Sequence, residues 1–70
     1  MSQPASFGHL AMIHHGKFLP LEVLLGAAGH YIGTRDIDGP VSRESREYFR
    51  SYAAAQRALK RGGWTQLAIS

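Results

Sequence analysis

Cysteine is absent from these 70 residues, so no disulfide can brace the fold and no thiolate can serve as nucleophile or metal ligand. The same absence gives no reason to place the chain in an oxidising compartment, and a cytoplasmic location is the simpler expectation. Long apolar runs are missing too. The longest, Leu19 to Ala28, is broken by Pro20, Glu22 and Gly26, and a membrane helix needs roughly 20 apolar residues. The N-terminal MSQPASF has no basic region followed by an apolar core, so neither a secretory signal nor a membrane partner is expected. Large side chains are scarce, with Trp64 the single tryptophan. A chain this short buries only about 60% of the surface its unfolded form exposes. Without disulfides, small domains often add a metal or a partner subunit. Monomer and homodimer therefore both stay open.

Acidic residues are also few, five against eight lysines and arginines, and the imbalance is local. Residues 1–40 carry Lys17 and Arg35 against Glu22, Asp36 and Asp38, a net of −1. Residues 41–70 carry Arg43, Arg46, Arg50, Arg57, Lys60 and Arg61 against Glu44 and Glu47, a net of +4. The C-terminal half should present positive potential and favour an anionic partner, either nucleic acid or an acidic protein surface. A solvated face that keeps a small protein in solution accounts for the same residues.

In chain order, residues 1–7 read as a disordered tail, because Met1 to Ser6 is polar, contains Pro4 and lacks periodicity. Residues 8–70 read as one small α+β domain. HLAMIHH, before Gly16, is a short apolar run that fits a strand entering a turn at His15-Gly16-Lys17. Phe18 to Gly29 fits two patterns. Leu21, Leu24, Leu25 and Ala28 follow Pro20 at helical spacing, whereas Leu21, Val23 and Leu25 share one face of a strand. Val23 and the interior Gly26 tip the balance to a strand ending in a turn at Gly26-Ala27-Ala28-Gly29. His30 to Arg35 is a strand by its Tyr31, Ile32 and Thr34. Asp36 to Pro40 supplies a hairpin turn.

Val41 to Tyr48 then returns as an edge strand, leaving SRESRE largely solvated. A helix from Ser42 is the competing pattern, and Ser51, a second capping signal, favours strand followed by helix. Tyr52 to Arg61 is alanine-rich, with Arg57, Lys60 and Arg61 near the negative pole of its dipole. Gly62-Gly63 stops it. Trp64 to Ile69 fits a short last strand, with Trp64 as the large anchor of the core. The fold expected is a small antiparallel sheet of three to four strands packed against one helix in the C-terminal half.

Tyr31-Ile32-Gly33-Thr34, Gly39-Pro40-Val41-Ser42-Arg43-Glu44-Ser45, Tyr48-Phe49 and Gly63-Trp64-Thr65-Gln66 together form a pattern over residues 29–66. It resembles a group of very small bacterial proteins found on phage, plasmid and other mobile elements. The resemblance implies a compact α+β domain and supplies no catalytic residues. Proteins from that setting often act as stoichiometric inhibitors of host defence, anti-CRISPR proteins among them. This chain departs from the group in its long His-rich N-terminal extension and in lacking an acid early in the helix. Its positive charge argues against DNA mimicry.

Chemistry is thin elsewhere. His9, His14, His15 and His30 are the candidate metal ligands of note, but zinc wants three or four ligands together, and adjacent His14 and His15 point apart in a strand. No metal or other cofactor is expected. Gly33-Thr34 lacks the preceding lysine of a phosphate loop. Asp36 and Asp38 have no apolar pocket to shift them, and Ser42 and Ser45 have no nucleophile elbow. A non-enzyme is expected. The partner-binding candidates are Arg43, Arg46, Arg50, Arg57, Lys60, Arg61 and Tyr52. Arginine pairs bidentately with carboxylate or phosphate, and the tyrosine could stack on a base or anchor an interface. The partner expected is a protein or ribonucleoprotein complex of host defence, with nucleic acid as the alternative.

Overall fold

A computed structural model describes residues 7–68. The order is α1 (His9–His15), β1 (Glu22–Gly26), β2 (Gly29–Asp36), β3 (Gly39–Arg43) and α2 (Tyr52–Arg61). The strands form one antiparallel sheet, β1-β2-β3, so the fold is α+β with a small sheet packed on a helix from the C-terminal half. No helix among the described residues is long and apolar enough to cross a membrane. The loose end expected over Met1 to Ser6 lies outside the described residues. Phe7 already pairs across to Pro20.

β2 is the centre because its side chains satisfy both faces. His30, Ile32 and Thr34 point to one face and Tyr31 and Gly33 to the other, as strand alternation requires. Tyr52 of α2 meets His30 edge-on, and Gly8, just before α1, packs against Thr34. Both helices therefore cover the same face. On the other, the Tyr31 ring lies between Gly26 and Gly33 and meets Tyr48 edge-on. Gly33 is required there: a Cβ would sit 2.3 Å from the Ser42 carbonyl oxygen and 2.9 Å from the Tyr31 ring.

The two hairpin turns follow their residues. Gly26 pairs with Gly29 around Ala27-Ala28. Asp36 Oδ1 accepts from the Asp38 N–H at 2.9 Å, the side-chain turn expected of aspartate. The register then shifts between Thr34 and Arg35.

Four expectations are corrected. Residues 9–15 are a helix, not a strand. Gly8 has no side chain to cap it, and Glu44, far along the chain, accepts the Leu10 and Ala11 N–H groups instead. No local pattern reveals a cap brought in by tertiary structure. Second, the strand expected over Val41 to Tyr48 ends at Arg43. Glu44 and Ser45 N–H both donate to the Ile32 carbonyl, and Ser45 Oγ accepts from the Ile32 N–H, so a side chain takes a rung of the ladder.

Third, SRESRE is not largely solvated, because Glu44 and Ser45 are fully buried. Fourth, no strand forms among the described residues after Trp64. A single bridge pairs Ser45 with Gln66, and Ile69 lies outside the described residues. Trp64 is half-buried. The fully buried side chains are instead Ile32, Glu44, Thr34 and Ser45, with Ala11 and Ala55 where the helices touch the sheet.

The polar part of this core is fully satisfied. A carboxylate can only accept, so Ser42 Oγ must donate its one proton to Glu44 Oε2, at 2.6 Å. Thr34 must then be the donor in its 2.6 Å bond to Ser42. Gln66 Nε2 completes the set at 2.7 Å from Glu44 Oε1. Among the described residues no buried side-chain polar atom lacks a partner.

Candidate functional site

α2 forms where its residues direct it. Ser51 Oγ accepts from the Ala54 N–H at 3.0 Å, and Gly62, at φ 74°, closes the other end by donating to the Ala58 carbonyl. Ala55 is buried against the sheet. At 100° per residue, Arg57, Lys60 and Arg61 fall on the opposite side, and all three are exposed. Like charges three and four residues apart weakly disfavour a helix. The negative C-terminal pole offsets part of that repulsion.

The loop before α2 adds two cations. The Arg46 N–H donates to the Thr65 carbonyl at 2.8 Å, and the Thr65 N–H donates to both Glu47 carboxylate oxygens. These bonds hold Arg46 to the segment that leaves the C-terminal end of α2. Arg50 sits beside the other end, between Ser51 and Phe49, whose backbone exchanges two hydrogen bonds with His30. Both arginines are exposed. Tyr52 opens the helix there, 57% exposed.

Arg43 is held apart from this set. Its Nη1 donates to the Ser45 and Arg46 carbonyls at 3.0 and 3.1 Å. Its guanidinium lies over the Tyr48 ring, 4.7 Å from the centroid. Of the seven residues expected to meet a partner, Arg57, Lys60 and Arg61 share one helical face, Arg46, Arg50 and Tyr52 flank it, and Arg43 is occupied internally.

The acids explain why this face stays positive. Lys17 pairs with Asp36 at 2.5 Å and Arg35 with Glu22 at 3.2 Å. No other ion pair occurs among the described residues. Glu44 and Glu47 instead hold backbone N–H groups. Burial pushes the Glu44 carboxyl up, but the donors from Leu10, Ser42, Gln66 and Ala11 outweigh it and keep the group below its ordinary value. Hydrogen bonds from Thr65 lower Glu47 in the same way. Asp36 is lowered by its bond from Lys17.

The sequence missed Glu44 as the residue joining α1, β3 and the C-terminal segment. One signal was present: Ser42, paired with Thr34 across the hairpin, and Glu44, just past the end of β3, lie two apart, so three polar groups fall on one side of the chain. Among the described residues no group of three His, Cys, Asp or Glu side chains gathers to hold a metal. His9, His14 and His15 are exposed on α1. Comparisons with protein-family models, curated proteins and solved structures find no match.

Proposed function

We propose that the chain is a non-enzymatic binding protein that blocks a macromolecular partner through Arg46, Arg50, Arg57, Lys60 and Arg61. One observation carries this reading: those five cations are exposed and pair with no carboxylate among the described residues, while four of the five acids are engaged elsewhere. Desolvating an arginine that must first leave a salt bridge costs affinity, and here no bridge has to break. Arginine's fork suits an acidic protein surface or a phosphate path equally. The resemblance to small mobile-element proteins supports a host-defence complex as the partner, with the chain acting as an anti-CRISPR-like inhibitor.

The test is retention of the tagged chain on purified CRISPR surveillance complexes and nucleases at physiological salt, with the variant R57E/K60E/R61E alongside. Retention of the native chain and its loss in the variant support the reading; no retention counts against it. A small nucleic-acid-binding domain is the second reading, favoured by Tyr52, exposed beside the arginines. It requires binding to naked DNA or RNA that falls steeply with salt as counterions are released. A gel-shift titration with no binding at low salt removes it.

A further inference from the structure

The two edges of the sheet differ. The β3 edge is closed by Pro40, by the register shift opposite Thr34 and Arg35, and by the C-terminal segment, where Leu67 N–H donates to Glu44 and Arg46 N–H to Thr65. Beside β1 the chain's own pairing stops at Phe7 and Gly8, against Pro20 and Leu19, and from Glu22 to Gly26 no described segment covers the edge. Ile32 and His30 direct their backbone groups away from β1, to Ser45 and Phe49. Their partners in the register are Val23 and Leu25. By the alternation of an antiparallel ladder, Val23 and Leu25 therefore point their own N–H and C=O outward. Neither residue's backbone makes another hydrogen bond among the described residues. The side chain on this edge is apolar as well, with Leu25 71% exposed.

We infer that this edge pairs with β1 of a second copy of the chain, joining two three-stranded sheets into one of six strands. With the β3 edge closed, β1 can meet only another β1, so the contact is two-fold and ends at a dimer. The five-residue strand is centred on Leu24, and antiparallel pairing about that residue uses every free group. Val23 and Leu25 of each copy exchange two N–H···O=C bonds with Leu25 and Val23 of the other. Glu22 then lies opposite Gly26, so no like charges face each other, and each exposed Leu25 gains an apolar neighbour. A contact of this length falls below the standard interface of about 1,600 Å², so the dimer is weak and concentration-dependent. Each copy carries a net charge of +3. Salt should therefore strengthen self-association, whereas it weakens docking on an anionic partner. This contrast separates failure of the dimer from failure of the proposed function.

Sedimentation of the full chain across a wide concentration range, at low and high salt, reads the equilibrium. Because the chain has no cysteine, Leu24→Cys adds a unique reporter. Opposed residues of a non-hydrogen-bonded pair lie about 4.5 Å apart at Cα, close enough for a disulfide. Leu24→Cys should oxidise to a covalent dimer at least tenfold faster than Leu25→Cys, whose counterpart is displaced along the strand. Leu25→Lys, at an exposed site, should keep the native circular dichroism and sediment as a monomer. A native chain monomeric at every concentration overturns the proposal, and so do equal crosslinking rates for the two cysteine variants. A monomer whose Val23 and Leu25 amides exchange slowly with solvent also overturns it, because the edge would then be covered from within the chain.

Discussion

Replacing Glu44 by glutamine keeps the shape of the side chain and turns one of its acceptors into a donor. In the native fold Oε1 accepts from Leu10 N–H at 2.9 Å and from Gln66, while Oε2 accepts from Ala11 N–H at 3.0 Å and from Ser42. Ser42 can turn its hydroxyl round and accept from the new amide. A backbone N–H has no such freedom, so the α1 N–H that faces the amide nitrogen is orphaned. An unsatisfied buried donor costs about 1–3 kcal/mol, and bonds to a charged acceptor are the stronger kind. We expect Glu44→Gln to lose about 2–3 kcal/mol. Glu44→Ala, which removes every acceptor and leaves a void, should lose about 3–5 kcal/mol. A domain of this length has roughly 0.05–0.15 kcal/mol per residue in total, so the alanine variant should lose about a third or more of its stability. Urea denaturation followed by circular dichroism gives the difference, and hydrogen exchange at Leu10 and Ala11 locates it. A glutamine variant within 0.5 kcal/mol of the native chain, with those amides still protected, would refute the capping argument.

The same carboxylate fixes the acid limit. Its folded pKa lies below its ordinary value, so the stabilisation is present above that ordinary value and is lost as pH falls through the lowered folded value. Glu47 and Asp36 act in the same direction, and an acid titration of native chain and Glu44→Gln should show the variant losing stability less steeply. Gly33→Ala should cost about 2–3 kcal/mol by overpacking, because the obstacle is the Ser42 backbone and not a mobile side chain; thermal unfolding measures it. Arg43→Ala should lower stability by about 1–2 kcal/mol through its two carbonyl bonds and the Tyr48 contact, yet leave partner retention within twofold, and a large loss of binding in a fully folded variant would return Arg43 to the docking face. Added salt should barely move the urea midpoint, since the central bonds are buried, while partner binding falls; parallel titrations compare the two.

Legibility followed the range of the forces. α2 was readable because its signals are local: Ser51 three residues before Ala54, alanines within, Gly62 after. The two hairpins were readable for the same reason, from Gly26 to Gly29 and from Asp36 to Gly39. α1 was not, because its cap comes from a residue more than thirty positions away. The course of residues 44–50 was missed on similar grounds. Strong charge near Glu44 reads as solvent exposure when only neighbours are considered, and its donors come from α1, β3 and Gln66. Of the candidate site, Arg57, Lys60 and Arg61 were legible as positive charge gathered at the C-terminal end of α2. Arg43 looked no different from Arg46 in sequence, and only the fold places one over Tyr48 and leaves the other exposed.

Burying Glu44 and baring the arginines are two consequences of one shortage. A fold this small has few large apolar side chains to bury; Trp64 and Phe49 are only half-covered, and Phe18 is exposed. It closes its centre with a polar network that needs an anion able to accept several N–H and O–H donors at once, and Glu44 fills that role. Glu47 does the same for Thr65, joining the loop to the C-terminal segment. Glu22 and Asp36 hold Arg35 and Lys17 at the sheet. Once these four carboxylates are engaged, Asp38, in the β2–β3 turn, is the acid left over, remote in sequence from α2. Structural demand for acceptors thereby concentrates unneutralised charge on the helix and its flanks. A substitution supplying a new acid there, such as Arg61→Glu, would form an i,i+4 pair with Arg57 and leave the Glu44 network untouched, so it should weaken partner retention while circular dichroism and the urea midpoint stay native.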